Sequence, residues 1–255
     1  MLLKKLVSNC PSHLRDIKIS DLTSDSREVK KNSLFFAIKG KNYDGFDFVN
    51  EAIKKGATVI ISSKKLKYKN SIVISDKKIK KLIPDVCKKF YNKKPSNLIA
   101  VTGTNGKSSI AEFYRQMMLM SKEKVATIGT LGTIINNRKN LSYLTTPDII
   151  NLHKTLQKLK KKEINNVIIE TSSHGLKQGR LGGVSFKTGI FTNFSHDHLD
   201  YHKTMKDYFN SKMILFKNNL KKKSDVIISS KINEFKKIKK ISYKNKLKVN
   251  LTDVM

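Results

Sequence analysis

The segment Gly103-Thr104-Asn105-Gly106-Lys107-Ser108-Ser109 sets glycines, a lysine and two hydroxyls at the spacing of a phosphate-binding loop. In such a loop, backbone N–H groups and the N-terminus of the next helix hold phosphate oxygens. Lys107 would neutralise β- and γ-phosphate oxygens, and the Ser108 hydroxyl would ligate Mg²⁺. The full G-x4-G-K-[ST] pattern is not met: Val101 stands at its first glycine position and the glycine comes at 103. A glycine-rich turn capped by Ser108 is the plain alternative. A strand before the segment and a helix after it favour ATP.

Two more segments carry candidate chemistry. Glu170 ends an apolar run and opens ETSSHGLKQGR (170–180). Its carboxylate could hold Mg²⁺ directly or through water, or could be a strand end satisfied by nearby amides. Residues 193–202 read NFSHDHLDYH. There His196, His198 and His202, with Asp197 and Asp200, have the look of a metal cluster, and spacing alone would permit zinc. Beside an ATP loop, Mg²⁺ with oxygen donors is the better match, and a polar loop leading to a helix near Thr204 is the alternative.

The elements that must hold these groups are legible from periodicity. In the first part, 34–40 and 57–62 read as strands, as does 71–75. Residues 46–56 have helical apolar spacing at Phe48, Ala52 and Ile53 and end in a glycine stop. Residues 77–91 are amphipathic, with Pro84 predicting a kink or restart. The polar stretch 93–97, containing Pro95, marks a linker, so the chain divides into domains 1–94 and 95–255. Beyond it, strands at 98–103, 124–130, 165–172, 187–193 and 224–230 alternate with helices at 108–121, 147–162, 204–218 and 231–240. That alternation predicts an α/β fold with a mainly parallel sheet whose ligands sit at the carboxyl ends of the strands. Each motif above falls at such an end.

Composition excludes several classes. The 255 residues carry 52 Lys+Arg against 20 Asp+Glu, a formal charge of +32. Of the basic residues 47 are Lys and 5 Arg, scattered through every segment. Arginine, with its planar bidentate fork, is the residue that phosphate and base readers favour. The charge therefore reads as a bias toward lysine, with nonspecific polyanion adhesion at low salt and no specific nucleic-acid function. Cys10 and Cys87 are too few for a disulfide scaffold or a cysteine-rich zinc module. No apolar run reaches the ~20 residues of a membrane span. The start, MLLKKLVSNC, lacks a secretion-signal core, so a cytoplasmic protein is expected.

GTNGKSS, TTPD (145–148), ETSSHGL and TNFSHDHLDYH occur in the order and spacing of the Mur ligases, which this chain resembles from about Thr23 onward. It is most similar to members that add the third amino acid to UDP-N-acetylmuramoyl-dipeptide. Residues 23–61 resemble their N-terminal uridine-nucleotide-binding domain. The resemblance implies uridine-diphosphate contacts at Ser24, Ser26, Lys41, Asn42 and Tyr43. It implies an ATP loop at Gly103 to Ser109, and muramoyl-peptide contacts at Thr145, Thr146, Ser172, Gln178 and Arg180. It implies Mg²⁺ ligands at Ser108, Glu170 and His198, and a carbamylated Lys212 as an anionic ligand for a second Mg²⁺. By its own pattern Lys212 is one lysine among 47, on what reads as a solvated helix face.

The implied reaction is amide ligation in peptidoglycan synthesis: a substrate carboxylate attacks the γ-phosphate of ATP, and an amine displaces phosphate from the acyl phosphate. Lys107, Glu170, His198 and Lys212 are the expected catalytic groups, with ATP and Mg²⁺ as cofactors. The partners are UDP-N-acetylmuramoyl-L-alanyl-D-glutamate and a diamino acid, with meso-diaminopimelate favoured, and a monomer is expected. Departures from the family pattern are mild: Ser108-Ser109 for Thr-Thr, His196 for Arg, and Pro147 after the threonines. The strand pattern stops after about five core strands, short of the family's full central domain, and the amino-acid-binding third domain is expected to be missing from this chain. A chain of this extent is expected to lack ligase turnover alone. A folylpolyglutamate synthetase-like ligase shares the ATP loop, but SSHGL, DHLDYH and the uridine-type first domain argue against it. A nonfunctional remnant that retains uridine-nucleotide affinity is the other alternative.

Overall fold

The computed structural model describes residues 1–8, 10–40, 43–64, 72–75, 79–140 and 144–253. The chain divides into two compact units, Met1–Asn92 and Lys93–Met255.

The first unit holds α1 (Leu3–Leu6), β1 (Asp21–Thr23), β2 (Ser33–Ala37), α2 (Val49–Lys54), β3 (Ala57–Ser62), β4 (Ile72–Ser75) and α3 (Ile79–Phe90). Its four strands pair in parallel in the order β1-β2-β3-β4. Phe35, Ala37 and Ile60 from the sheet pack with Val49 and Ala52 of α2. The predicted helix 46–56 begins instead as a 3₁₀ turn at Gly45–Phe48, because the Asp44 side chain caps the Phe46 N–H. Helix α3 runs through Pro84 without restarting. Proline removes the bond to the carbonyl four residues back, here Lys80, an exposed residue in the first turn.

The second unit holds β5 (Asn97–Thr102), α4 (Lys107–Met120), β6 (Val125–Gly129), β7 (Gly132–Ile135), β8 (Arg138–Asn140), α5 (Ile149–Lys161), β9 (Asn166–Glu170), α6 (Ser173–Lys177), β10 (Phe186–Phe191), α7 (Leu199–His202), α8 (Met205–Ile214), β11 (Leu220–Ile228), α9 (Phe235–Lys244) and β12 (Lys248–Leu251). The sheet order is β12-β11-β10-β5-β9-β6-β7-β8. Pairing is parallel from β12 to β6, and β7 and β8 add an antiparallel edge.

Alternation along the central strands explains the two covered faces. Ala100, Val167 and Ile169 join a core with Leu152 and Leu156 of α5, Met213 of α8 and Ile238 of α9. Val101 and Ile168 point the other way, onto Ala111 of α4. Strands buried on both faces must be apolar throughout, which is why they read as continuous hydrophobic runs.

Three expectations need correction. The sheet is larger than five strands: β7 and β8 add a short antiparallel pair at one edge and β12 a four-residue strand at the other, each too short to show a clear period in the sequence. The last helix lies at Phe235–Lys244 rather than 231–240, with the periodic apolar set Phe235, Ile238 and Ile241 in it. The helix after Thr204 leaves α geometry at Ile214 and continues as a π turn over Leu215–Asn219, directly into β11. Among the described residues no helix is long and apolar enough to cross a membrane.

Candidate nucleotide and substrate site

Strand β5 lies between β9 and β10 and opens directly into the glycine loop. Its neighbour in register places Glu170 opposite Val101, and Thr102 opposite Phe191. The loop, Glu170 and the segment after β10 therefore meet at one carboxyl edge, where open parallel sheets bind ligands.

Two glycines let the loop turn. Gly103 has φ +145° and a Cβ there would meet the Asn193 backbone nitrogen at 3.1 Å as well as the Thr192 side chain. Gly106, at φ +82°, is the residue before α4. The loop is pinned to the β10 exit: Asn105 N–H donates to Asn193 Oδ1 (2.9 Å), and Thr192 Oγ1 donates to the Asn105 carbonyl (2.6 Å). Lys107 folds back over the loop, its Nζ donating to the carbonyls of Gly103 (3.0 Å) and Thr104 (2.6 Å). Burial lowers its pKa, against the opposing pull of Glu170 and Asp197.

Glu170 is 3% exposed. Ser108 Oγ donates to its Oε2 at 2.8 Å, Thr130 Oγ1 to the same oxygen at 3.2 Å, and Thr130 N–H to Oε1 at 3.2 Å. Gly129 is required beside it, since a Cβ there would lie 2.7 Å from Glu170 Cγ. Three side-chain oxygens, from Ser108, Thr130 and Glu170, thus converge at the loop. A hard, oxygen-seeking cation fits that donor set.

The proposed muramoyl-peptide residues form one hydrogen-bonded set with Glu170. Thr146, fully buried, donates from Oγ1 to the Glu170 carbonyl (2.9 Å) and lies 3.1 Å from Ser172 Oγ. Thr145 and Thr130 share a hydroxyl hydrogen bond of 3.1 Å. Arg180 donates to the Thr146 carbonyl (2.6 Å) and to Gln178 Oε1 (2.9 and 2.6 Å). Gln178 Nε2 in turn donates to the Tyr201 hydroxyl (3.2 Å). Ser172 also caps α6 by accepting the Gly175 N–H.

Lys212 is 1% exposed, not solvated. Its Nζ donates to the Gly103 carbonyl at 2.6 Å and lies 4.4 Å from the Tyr208 ring centroid. Burial, then the charge of Lys107, lowers its pKa to about 7.

The histidine-rich segment does not form the cluster its spacing suggests. Among the described residues no group of three His, Cys, Asp or Glu side chains is placed to hold a metal ion. His202 is fully buried and hydrogen-bonded to Ser173 (2.9 Å) and Ser211 (3.3 Å). It is a core histidine. His196 and Asp200 are exposed. His198 stands before α7 at φ +53°, with its ring 4.9 Å from that of His174 and its Nε2 3.4 Å from Asp197. The sequence argument missed Thr130, Thr192, Asn193 and Tyr208, whose hydroxyl donates to Thr104 Oγ1. The TNF run before SHDH was the available signal for two of them.

In the first unit, Ser24 is exposed just beyond β1, and Ser26 is buried with its hydroxyl donating to Glu51 (2.6 Å). Tyr43, beyond β2, is 74% exposed. Because β1 and β2 are parallel, these positions follow neighbouring carboxyl ends. Lys41 and Asn42 lie outside the described residues.

A strand-to-helix phosphate loop, answered by a buried carboxylate on the adjacent strand, defines the nucleotide-dependent α/β class. Residues 101–253 match the Mur ligase middle domain, and residues 18–93 match the Mur ligase family catalytic domain. The chain belongs to the Mur ligase family. It is 39% identical over 241 residues to the UDP-N-acetylmuramoyl-L-alanyl-D-glutamate--2,6-diaminopimelate ligase of Rickettsia typhi, covering 92% of this chain and 48% of that protein. A solved ligase of that name superposes with a TM-score of 0.80 at 28% identity, over 98% of this chain and 51% of its own. A MurF ligase from Thermotoga maritima in complex with ADP shares the fold at 18% identity, TM-score 0.61, over 91% of this chain and 49% of its own. A solved bifunctional folylpolyglutamate synthase/dihydrofolate synthase shares the fold at 15% identity, TM-score 0.51, over 68% of this chain and 47% of its own. The chain spans about half the length of the curated relatives it matches.

Proposed function

We propose that this chain carries the ATP-handling and UDP-muramoyl-peptide-handling parts of an amide ligase that extends UDP-N-acetylmuramoyl-L-alanyl-D-glutamate, with meso-2,6-diaminopimelate as the amine. The observation that most supports this reading is the Ser108–Glu170 hydrogen bond, 2.8 Å long, which joins the phosphate loop to the strand-end carboxylate. Glu170 is in turn bonded through its backbone to Thr146, which Arg180 also holds.

The chemistry follows from that layout. A substrate carboxylate and the γ-phosphate of ATP are both anions, so their approach needs fixed positive charge. Lys107 supplies it at the loop, and Arg180 can orient the peptide through its charge. An acyl phosphate then replaces hydroxide with phosphate as the leaving group, and the attacking amine makes the amide. No protein nucleophile is needed. Ser108 and Glu170 would hold Mg²⁺, which neutralises phosphate charge when bound. His198 and a carbamylated Lys212 are the residues proposed for a second ion.

The lowered pKa of Lys212 suits carbamylation. A neutral amine adds CO₂ and releases one proton, giving a carbamate anion. Ser24, Ser26, Lys41, Asn42 and Tyr43 are the proposed uridine-diphosphate contacts in the first unit. The same reading makes the chain a cytoplasmic monomer whose partners are small molecules.

Calorimetric titration of the chain tests this directly. It should bind a non-hydrolysable ATP analogue with Mg²⁺, dependent on Lys107, and UDP-muramoyl-dipeptide, dependent on Arg180. It should ignore dihydrofolate. Failure to bind both nucleotides, or tight folate binding, would overturn the reading.

A further inference from the structure

The loop that follows Arg180 is held in an unusual way. Four consecutive backbone carbonyls each accept a hydrogen bond from a side chain elsewhere in the second unit. Asn219 Nδ2 donates to Leu181 O (2.9 Å) and Val184 O (3.1 Å). His153 Nε2 donates to Gly182 O (2.8 Å), and Lys94 Nζ to Gly183 O (2.7 Å). Asn219 and His153 are both buried.

Apolar packing fixes the ends of this stretch but not its middle: Leu181 and Val184 are buried in the core, whereas Gly182 and Gly183 have no side chain to pack. The loop contains Gly179, Gly182 and Gly183, and a cavity of about 240 Å³ lies against it, lined also by Leu176, Ile214 and Asn218. Gly179 and Gly183 have φ of +71° and +73°. Glycine-rich backbone beside an open space has many conformations available. The side-chain hydrogen bonds, together with the backbone bonds from Gly182 N–H to Gly179 O and from Val184 N–H to Leu181 O, select one.

Asn219 is the last residue of the π turn that continues α8, and α8 carries Lys212. π turns are rare and occur frequently at functional sites. Here the turn delivers the Asn219 carboxamide to the Arg180 loop. We propose that Asn219 is a positioning residue for Arg180, tying the substrate loop to the helix of Lys212. The ligand named in its test rests on the function proposed above.

The test uses Asn219→Leu, which removes both donors at similar size, with Arg180→Ala and the double variant. UDP-muramoyl-dipeptide affinity should fall about tenfold in Asn219→Leu, because the loop must be ordered on binding. Affinity for the ATP analogue should stay unchanged. In Asn219→Leu/Arg180→Ala it should fall no further than in Arg180→Ala alone, since the asparagine acts only through the arginine. Wild-type affinity in Asn219→Leu, or additive losses, would overturn the proposal.

If the wild-type chain binds no UDP-muramoyl-dipeptide, the functional reading fails, and hydrogen exchange then decides this inference separately. Amides of 179–184 should exchange at least about tenfold faster in Asn219→Leu while the phosphate loop is unchanged. Unchanged exchange at 179–184 would refute the positioning role. Should Asn219→Leu not fold, Asn219→Ser answers the same questions with a smaller perturbation.

Discussion

Lys107 and Lys212 aim their ammonium nitrogens at one acceptor, the carbonyl oxygen of Gly103, at 3.0 and 2.6 Å. Two lysine nitrogens on one carbonyl, one of them buried, carry an electrostatic cost that the charges of Glu170 and Asp197 only partly offset. It is the arrangement expected of a loop shaped for phosphate.

That cost predicts the behaviour of Lys212→Met. The folded pKa of Lys212, about 7, lies below its ordinary value of 10.5. The unfolded chain therefore binds the extra proton, and the wild-type fold is penalised fully below pH 7 and progressively less up to 10.5. Lys212→Met should be more stable than wild type at pH 6.5, by about 1–4 kcal/mol. The gain should shrink toward pH 10, as read by chemical denaturation. A gain that grows with pH would contradict the burial argument.

Glu170→Gln should remove the Mg²⁺-dependent part of nucleotide affinity and leave the Mg²⁺-independent part. The amide keeps the size and can still accept from Ser108, but it lacks the charge a hard cation needs. Titration of the ATP analogue with and without Mg²⁺ separates the two. Equal Mg²⁺ dependence in both proteins would remove Glu170 from the ligand set.

How far could these relationships be read in advance? The strand-and-helix alternation, the phosphate loop and the carboxylate at 170 were legible, because buried parallel strands and glycine loops leave strong local patterns. β7, β8 and β12 were not, since strands of three or four residues are too short to show a period. The histidine run misled because spacing says nothing about direction: His202 turns inward onto Ser173 and Ser211. By its own pattern Lys212 was one of 47 lysines; the resemblance singled it out, and its burial sets it apart in the structure. Thr130 acts through contacts with Glu170 and Thr145 that no local period reports.

Gly129→Ala tests how tightly Glu170 is held. The added methyl would collide with Glu170 Cγ, and the carboxylate could move only by releasing Ser108 and Thr130. The variant should lose about 1–3 kcal/mol of stability and reproduce the Mg²⁺ defect of Glu170→Gln. Gly179→Ala is the contrast: nothing lies within 4 Å of its Cβ, so only the left-handed backbone opposes it, at about 1–2 kcal/mol. Nucleotide titration of both variants should show the Mg²⁺ defect in the first alone.

His153 sets an acid limit on the fold. It is fully buried, and donation from Nε2 to the Gly182 carbonyl leaves Nδ1 as an acceptor without a partner. Burial, reinforced by the charge of Lys94, lowers its pKa to about 4, below the ordinary 6.5. Between those values the unfolded chain binds the proton and the folded chain does not, so stability must fall as pH drops from 6.5 toward 4. The loss should reach about 2–3 kcal/mol at the acid end. His153→Gln keeps a donor for Gly182 but cannot titrate, so its stability should decline less over that window. Denaturant midpoints at pH 7.5, 6, 5 and 4.5 measure the difference, and parallel curves for the two proteins would assign the acid sensitivity to other groups.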